Sequence, residues 1–287
     1  MKSYQRTDLA IEALSDNELN HPPDGILIET KSYDDAEVVK IKVINKQGEQ
    51  FSGRKSGAYT TICFDKNSIY VTSERQNISL ALSKEITCYI DSASSYINKI
   101  LVVGLGNKSI TADSLGPLTT DKIVPSSPIQ NEKANRKYSI STISPGVQGQ
   151  TGIEALDIIK SLVKELNFDM VILIDSLASK DISRLSTTIQ LSNAGITPGS
   201  GMGNHKKEIS QNSIGVPVLV IGAPTVISLS TIFSATLEKY VDFSVSEEII
   251  SILNEGKSLY VTPNDCDIFI EELSKVISSA INLMSGN

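Results

Sequence analysis

Two aspartates stand where acid–base chemistry could be done. Asp175 directly follows the apolar run Met170 to Ile174. It is therefore expected at the carboxyl end of a central strand, semi-buried, where a carboxylate needs a hydrogen-bonding partner or a chemical task. Asp113 lies in Thr111-Ala112-Asp113-Ser114-Leu115-Gly116-Pro117. Pro117 can open a helix, so Asp113 precedes or caps it, and from spacing alone an ordinary capping carboxylate is the simpler reading. If folding brings the two carboxyl groups together, they cannot both ionise cheaply and would share a proton. The ionised one could take a proton from water. The protonated one could donate to the peptide carbonyl or the leaving amine. That chemistry is peptide hydrolysis without a metal or a covalent intermediate.

Other chemistries have thinner support. The three cysteines, Cys63, Cys88 and Cys266, are far apart in the chain, and only His21 and His205 could serve them as a base. Neither neighbourhood resembles a cysteine-protease signature, so the cysteines read as reduced thiols. There is no H-E-x-x-H and His205 stands alone, so no metal site and no cofactor is expected, although metal-assisted hydrolysis is the obvious rival. The segment Gly104-Leu105-Gly106-Asn107-Lys108-Ser109 starts like a dinucleotide fingerprint, but Ser109 stands where the third glycine belongs, and a lone G-x-G is a weak signal. The glycine-rich stretch from Pro198 to Glu208 carries Lys206 and Lys207. It lacks G-K-[ST], so it is either a plain surface loop or a loop that closes over substrate and presents cations.

The elements that must position these residues follow from hydrophobic pattern. Three apolar runs, 100–103, 170–174 and 216–221, are closed by Gly104, Asp175 and Gly222. Continuous apolar runs fit strands covered on both faces. Between the first two, Ile153, Leu156, Ile159, Leu162, Val163 and Leu166 recur at helical spacing, which predicts a βαβ unit with a right-handed crossover. From about 26 to 90 the pattern is antiparallel and strand-like, including 68–73, before a helix. A further helix is expected after Thr225. A last one is expected from 262, with Thr262 as its cap and Pro263 in first position. The predicted fold is a three-layer α/β sandwich around a mainly parallel or mixed sheet, with an N-terminal antiparallel β-rich portion. Catalytic groups of such sheets gather beyond the carboxyl ends of the strands, here the loops 104–117, 175–184 and 222–226.

At 287 residues and 40% hydrophobic composition the chain suits one large domain or two small ones, with ample core. A net charge of -7 and the absence of Trp argue against a nucleic-acid partner. The N-terminus has no apolar core of signal-peptide length and no apolar run approaches bilayer length, so a cytoplasmic location and no membrane partner are expected.

Many ordered motifs resemble the germination protease family. They include Arg6 to Glu12, VGLGN at 103–107, TADSLGP at 111–117, PGVQGQTGIE at 145–154, IDSLAS at 174–179, STTIQLS at 186–192, GITPGSGMGN at 195–204, GVPVLVIGAPTV at 215–226 and VTPNDCDIFIE at 261–271. The resemblance implies an endopeptidase of the spore core, made in the forespore. It implies that small acid-soluble spore proteins are degraded during germination, that a zymogen removes its own N-terminal segment, and that the assembly is a homotetramer. It implies a fold like that of the hydrogenase-maturation peptidases, and it matches two aspartates proposed as catalytic to Asp113 and Asp175. Family substrates are cut after an acid, before an apolar residue, Ala and a later Glu. The order Thr7-Asp8-Leu9-Ala10-Ile11-Glu12 implies a cut between Asp8 and Leu9, residues 1–8 as a propeptide and 9–287 as a single peptidase domain with its catalytic core from about 98. A pocket for an acidic residue needs cations; Arg184, Lys206 and Lys207 are the candidates. The sequence departs from the family in a short segment before the cut, a compact region between 241 and 261, and Ser179-Lys180 where the family has Ala-Arg. A metal-dependent peptidase and a non-catalytic ligand-binding module are the alternatives.

Overall fold

A computed structural model describes residues 7–93, 96–126, 137–198, 207–240 and 259–286. Among the described residues the strands are β1 (Ile26–Tyr33), β2 (Ala36–Val43), β3 (Gly57–Cys63), β4 (Lys99–Gly104), β5 (Ser139–Ile143), β6 (Met170–Ser179), β7 (Thr188–Ser192), β8 (Val218–Ser228) and β9 (Tyr260–Val261). They form one sheet of order β1-β2-β3-β7-β8-β6-β4-β5, with β9 added beside β8. β5, β4, β6 and β8 run parallel, and β7, β3, β2 and β1 continue the sheet in antiparallel pairs. The N-terminal β-rich portion therefore joins the same sheet through β3 and β7.

The helices are α1 (Asp16–Asn20), α2 (Lys46–Ser52), α3 (Thr72–Ala93), α4 (Leu115–Thr120), α5 (Gln148–Thr151), α6 (Ala155–Leu166), α7 (Gln211–Ile214), α8 (Leu229–Tyr240) and α9 (Cys266–Ser285). The alternation of side chains along β6 separates the layers. Met170, Ile172 and Ile174 face the cluster built with α3 and α9, through Ile78, Leu82, Phe269 and Leu273. Val171 and Leu173 face α6 and α7, through Leu156, Ile159, Val163 and Ile214. A third cluster covers the antiparallel half on the α6 side, where Val39, Ile41, Tyr59 and Leu177 bury Leu9, Ala10, Ile11 and Leu14. The result is a three-layer α/β sandwich with a mixed sheet.

Several expectations about elements need correction. Asp175 does not end its strand: β6 runs on to Ser179, and β8 runs past Gly222 to Ser228, because the two pair with each other beyond the apolar run, Asp175 against Gly222 and Ser179 against Ile227. Between β4 and β6 an extra strand, β5, lies on the far side of β4; its sequence Ser-Ile-Ser-Thr-Ile has too few apolar residues to announce itself. Residues 68–73 form a 3-10 turn and the start of α3 rather than a strand. The crossover helix begins at Ala155, leaving Ile153 before it and exposed. The last helix begins at Cys266 after Asp265; the Thr262 hydroxyl is used elsewhere, donating to the Thr225 carbonyl at 2.9 Å. Among the described residues no helix is long and apolar enough to cross a membrane.

Candidate active site

Asp175 interrupts an apolar face. It follows Val171 and Leu173 on the α6 side of β6 and precedes Leu177 of the N-terminal cluster. Its exposure is 4%. Its Oδ1 accepts from the Ser176 amide at 2.9 Å.

Asp113 is half-buried and ends a 3-10 turn, Thr111–Asp113, immediately before α4. It is not the N-cap of that helix; Ser114 is. Its carboxylate reaches back instead, where Oδ2 accepts from the Asn107 amide at 2.8 Å. That return is possible because Gly106 takes φ 110° and passes so close that a Cβ there would lie 2.1 Å from the Asp113 carbonyl oxygen. The turn is braced from two sides. Thr225 of β8 donates its hydroxyl to Ala112 O at 2.7 Å, and Gln150 Nε2 donates to Asn107 Oδ1 at 2.8 Å.

Asp113 and Asp175 line one cavity of about 50 Å³, together with Gly146, Glu154, Leu156 and Lys207. That space is enough for a water, which needs at least ~10–15 Å³. Two carboxylates beside one water could serve as general base and general acid.

Lys207 borders this cavity, with its Nζ 3.5 Å from Glu154 and 3.9 Å from Asp157. Lys206 and His205 lie outside the described residues. Arg184 is elsewhere: its Nε is 3.8 Å from Glu12 Oε1 and its Nη1 donates to Cys63 Sγ at 3.6 Å. Asp8 lines a neighbouring cavity with Arg54, Leu177 and Gln190. The Asp8 amide donates to Ala178 O at 2.8 Å, and Ala178 is three residues past Asp175, about 10 Å along the strand. Sequence reasoning did not single out Arg54 or Gln190. The one signal for Gln190 was an amide inside an apolar strand, and Arg54 carried none.

Among the described residues no group of three His, Cys, Asp or Glu side chains converges as a metal site would. The thiols are not placed for nucleophilic work. Burial pushes Cys63 up from its ordinary value, against the pull of Arg184, and burial likewise pushes Cys266 up. Cys88 is exposed. Under native conditions a maleimide should therefore label Cys88 first, with Cys63 and Cys266 at least about tenfold slower. Peptide mapping of a labelling time course reads the order, and early labelling of Cys63 would contradict it.

The sequence profile of the germination protease family matches residues 5–249. A germination protease of Clostridium acetobutylicum is 33% identical over 97% of this chain and 94% of its own length. That of Caldanaerobacter subterraneus is 35% identical over 97% and 93%, and that of Oceanobacillus iheyensis is 39% identical over 81% and 66%. A solved NiFe hydrogenase maturation protease of Thermococcus kodakarensis overlaps 67% of this chain and 97% of its own, at 12% identity and a TM-score of 0.37.

Proposed function

The chain belongs to the germination protease family, and from that premise we propose that it is an endopeptidase that cuts after acidic residues through Asp113 and Asp175. The observation that carries this reading is a cavity lined by both aspartates and wide enough for a water. One carboxylate, ionised, accepts a proton from that water as it attacks the peptide carbonyl. The other, protonated, donates to the carbonyl oxygen; the first carboxyl then passes the proton it took from water to the leaving amine, while the second recovers its own from the collapsing gem-diol. Lys207 at the rim supplies positive charge toward an acidic side chain of the substrate, shared with Glu154 and Asp157. By the resemblance, the substrates are small acid-soluble spore proteins, the site of action is the spore core, and the assembly is a homotetramer.

Self-processing at Asp8–Leu9 belongs to the same proposal, with residues 1–8 as propeptide. Asp8 is pinned beside Ala178 rather than in the aspartate cavity. The cut is therefore made after the segment lifts off, or on the segment of a second molecule. Incubation of the purified chain should yield a product beginning at Leu9, read by intact mass and N-terminal sequencing. A different new terminus would overturn the site. Cleavage that survives strong chelation sets aside the metal-dependent alternative.

A further inference from the structure

Thr225 is a hydroxyl in an apolar layer. Leu219, Ile221 and Ala223 of β8 face the side of the sheet covered by α3 and α9. Thr225 is the next residue of that alternation and is fully buried. A valine has nearly the same shape and would fill the place. A buried hydroxyl is costly unless it is hydrogen-bonded, and here Thr225 Oγ1 donates to Ala112 O at 2.7 Å. Ala112 is the residue before Asp113, in the 3-10 turn that carries that carboxylate.

The backbone at this point departs from a regular strand. Pro224 has no N–H to give to the ladder, and prolines inside sheets sit at edges and bulges. The pairing of β8 with β6 slips here, from Leu177 against Pro224 to Ala178 against Val226, so Thr225 is the extra residue of a bulge. Bulges re-aim a side chain and are common next to active sites. Thr225 is also held through its carbonyl, which accepts from Thr262 Oγ1 at 2.9 Å. Thr262 directly follows β9, which pairs with β8 at Ile227. The same strands fix Asp175, which lies on β6 opposite Gly222 of β8, three residues before Thr225. β8 is thus the common frame of the two aspartates, reaching one through strand register and the other through the Thr225 hydroxyl.

We infer that Thr225 is a positioning residue for cleavage, the latch that sets the place of the Asp113 carboxylate relative to Asp175. It does not line the cavity of the two aspartates and acts through Asp113. This deepens the peptidase reading and rests on it for its purpose, while the latch itself can be measured without any cleavage.

Thr225→Val and Thr225→Ser are compared in the full chain by two measurements. Hydrogen–deuterium exchange of a peptide covering 105–114 reports on the latch. The amides of Asn107 and Asp113, which donate to Asp113 Oδ2 and Ile110 O, should exchange about tenfold faster in Thr225→Val and near the parent rate in Thr225→Ser. Steady-state cleavage of an acid-containing peptide reports on the purpose. In Thr225→Val kcat should fall about 10- to 100-fold while KM stays within about twofold, because a reacting group is displaced and the binding of the peptide is not. Thr225→Ser, which keeps the hydroxyl, should recover most of the loss. Adding Thr225→Val to Asp113→Asn should cost at most about twofold more, since the latch has no carboxylate left to place. Unchanged exchange in Thr225→Val, an equal loss in Thr225→Ser, or a loss that multiplies with Asp113→Asn overturns the inference. Should Thr225→Val fail to fold, Thr225→Ala removes the same hydroxyl without setting a methyl against Ala112 O, and the same comparisons decide. Faster exchange with unchanged kcat also overturns the positioning role, and Asp113→Asn shows why. If that variant is slowed by about 10³-fold, the catalytic reading holds and the latch has no part in it. If it cleaves normally, the catalytic reading of Asp113 fails, and the hydroxyl braces the turn without serving cleavage.

Discussion

Asp175→Asn is expected to lower the rate of peptide cleavage by about 10³-fold, within the 10²–10⁴ contributed by a positioned acid or base, while the protein keeps its fold. Asn has nearly the same shape and still offers an oxygen to the Ser176 amide that Asp175 engages, but it neither takes nor gives a proton in the reaction. Asp113→Asn should produce a loss of the same order. Its carboxamide oxygen can still accept from Asn107 N, so the return of the turn to β4 survives. The double substitution is the sharper measurement. Two groups that act on one water form a unit, so removing the second should cost little more than removing the first. Initial rates on an acid-containing peptide, measured beside thermal melts of all three variants, check the set. A single variant within tenfold of the parent, or losses that multiply in the double variant, would remove the pair from the mechanism.

Gly116→Ala is expected to damage both stability and cleavage, although residue 116 touches no substrate in the proposed mechanism. Gly116 lies in the first turn of α4, where the helix backbone rests directly on the sheet. A Cβ there would meet Leu105 O at 2.3 Å, Leu105 N at 2.6 Å and Ile174 O at 2.6 Å, all backbone atoms. The same Leu105 amide donates to Ile174 O at 2.8 Å, so the added methyl has to push α4 outward or break the join between β4 and β6. Overpacking of this kind costs about 3 kcal/mol, which lowers Tm by roughly 5–10 °C in a chain of this size. Asp113 is three residues away on the same turn and helix. A shift of about 1 Å at a catalytic group can cost ~10²-fold in rate, so cleavage should fall by about that factor well below the melting transition. A variant that melts like the parent and cleaves normally would show that α4 has room which the geometry denies it.

The family and the layering were legible in the amino-acid order, and the two candidate aspartates could be picked out there, because they are written locally. Apolar runs such as 170–174 and 216–221 announce strands covered on both faces, and the helical spacing of Leu156, Ile159 and Val163 announces the helix that covers one of them. Motifs such as TADSLGP and IDSLAS are contiguous and are read without knowing what they touch. What they touch was decided only by tertiary structure. β6 and β8 outrun their apolar cores because each lends the other a partner, which no single segment encodes. Asp113 and Asp175 line one cavity, beside which Gly106 and Gly116 let backbone approach backbone. Arg184 was singled out as a cation for an acidic residue of the substrate; the acid beside it is Glu12, 172 positions away in the chain, met through a strand end and a 3-10 turn. Hydrophobic period is a property of neighbours a few residues apart, whereas the pairing of a buried charge is settled only when distant elements close around it.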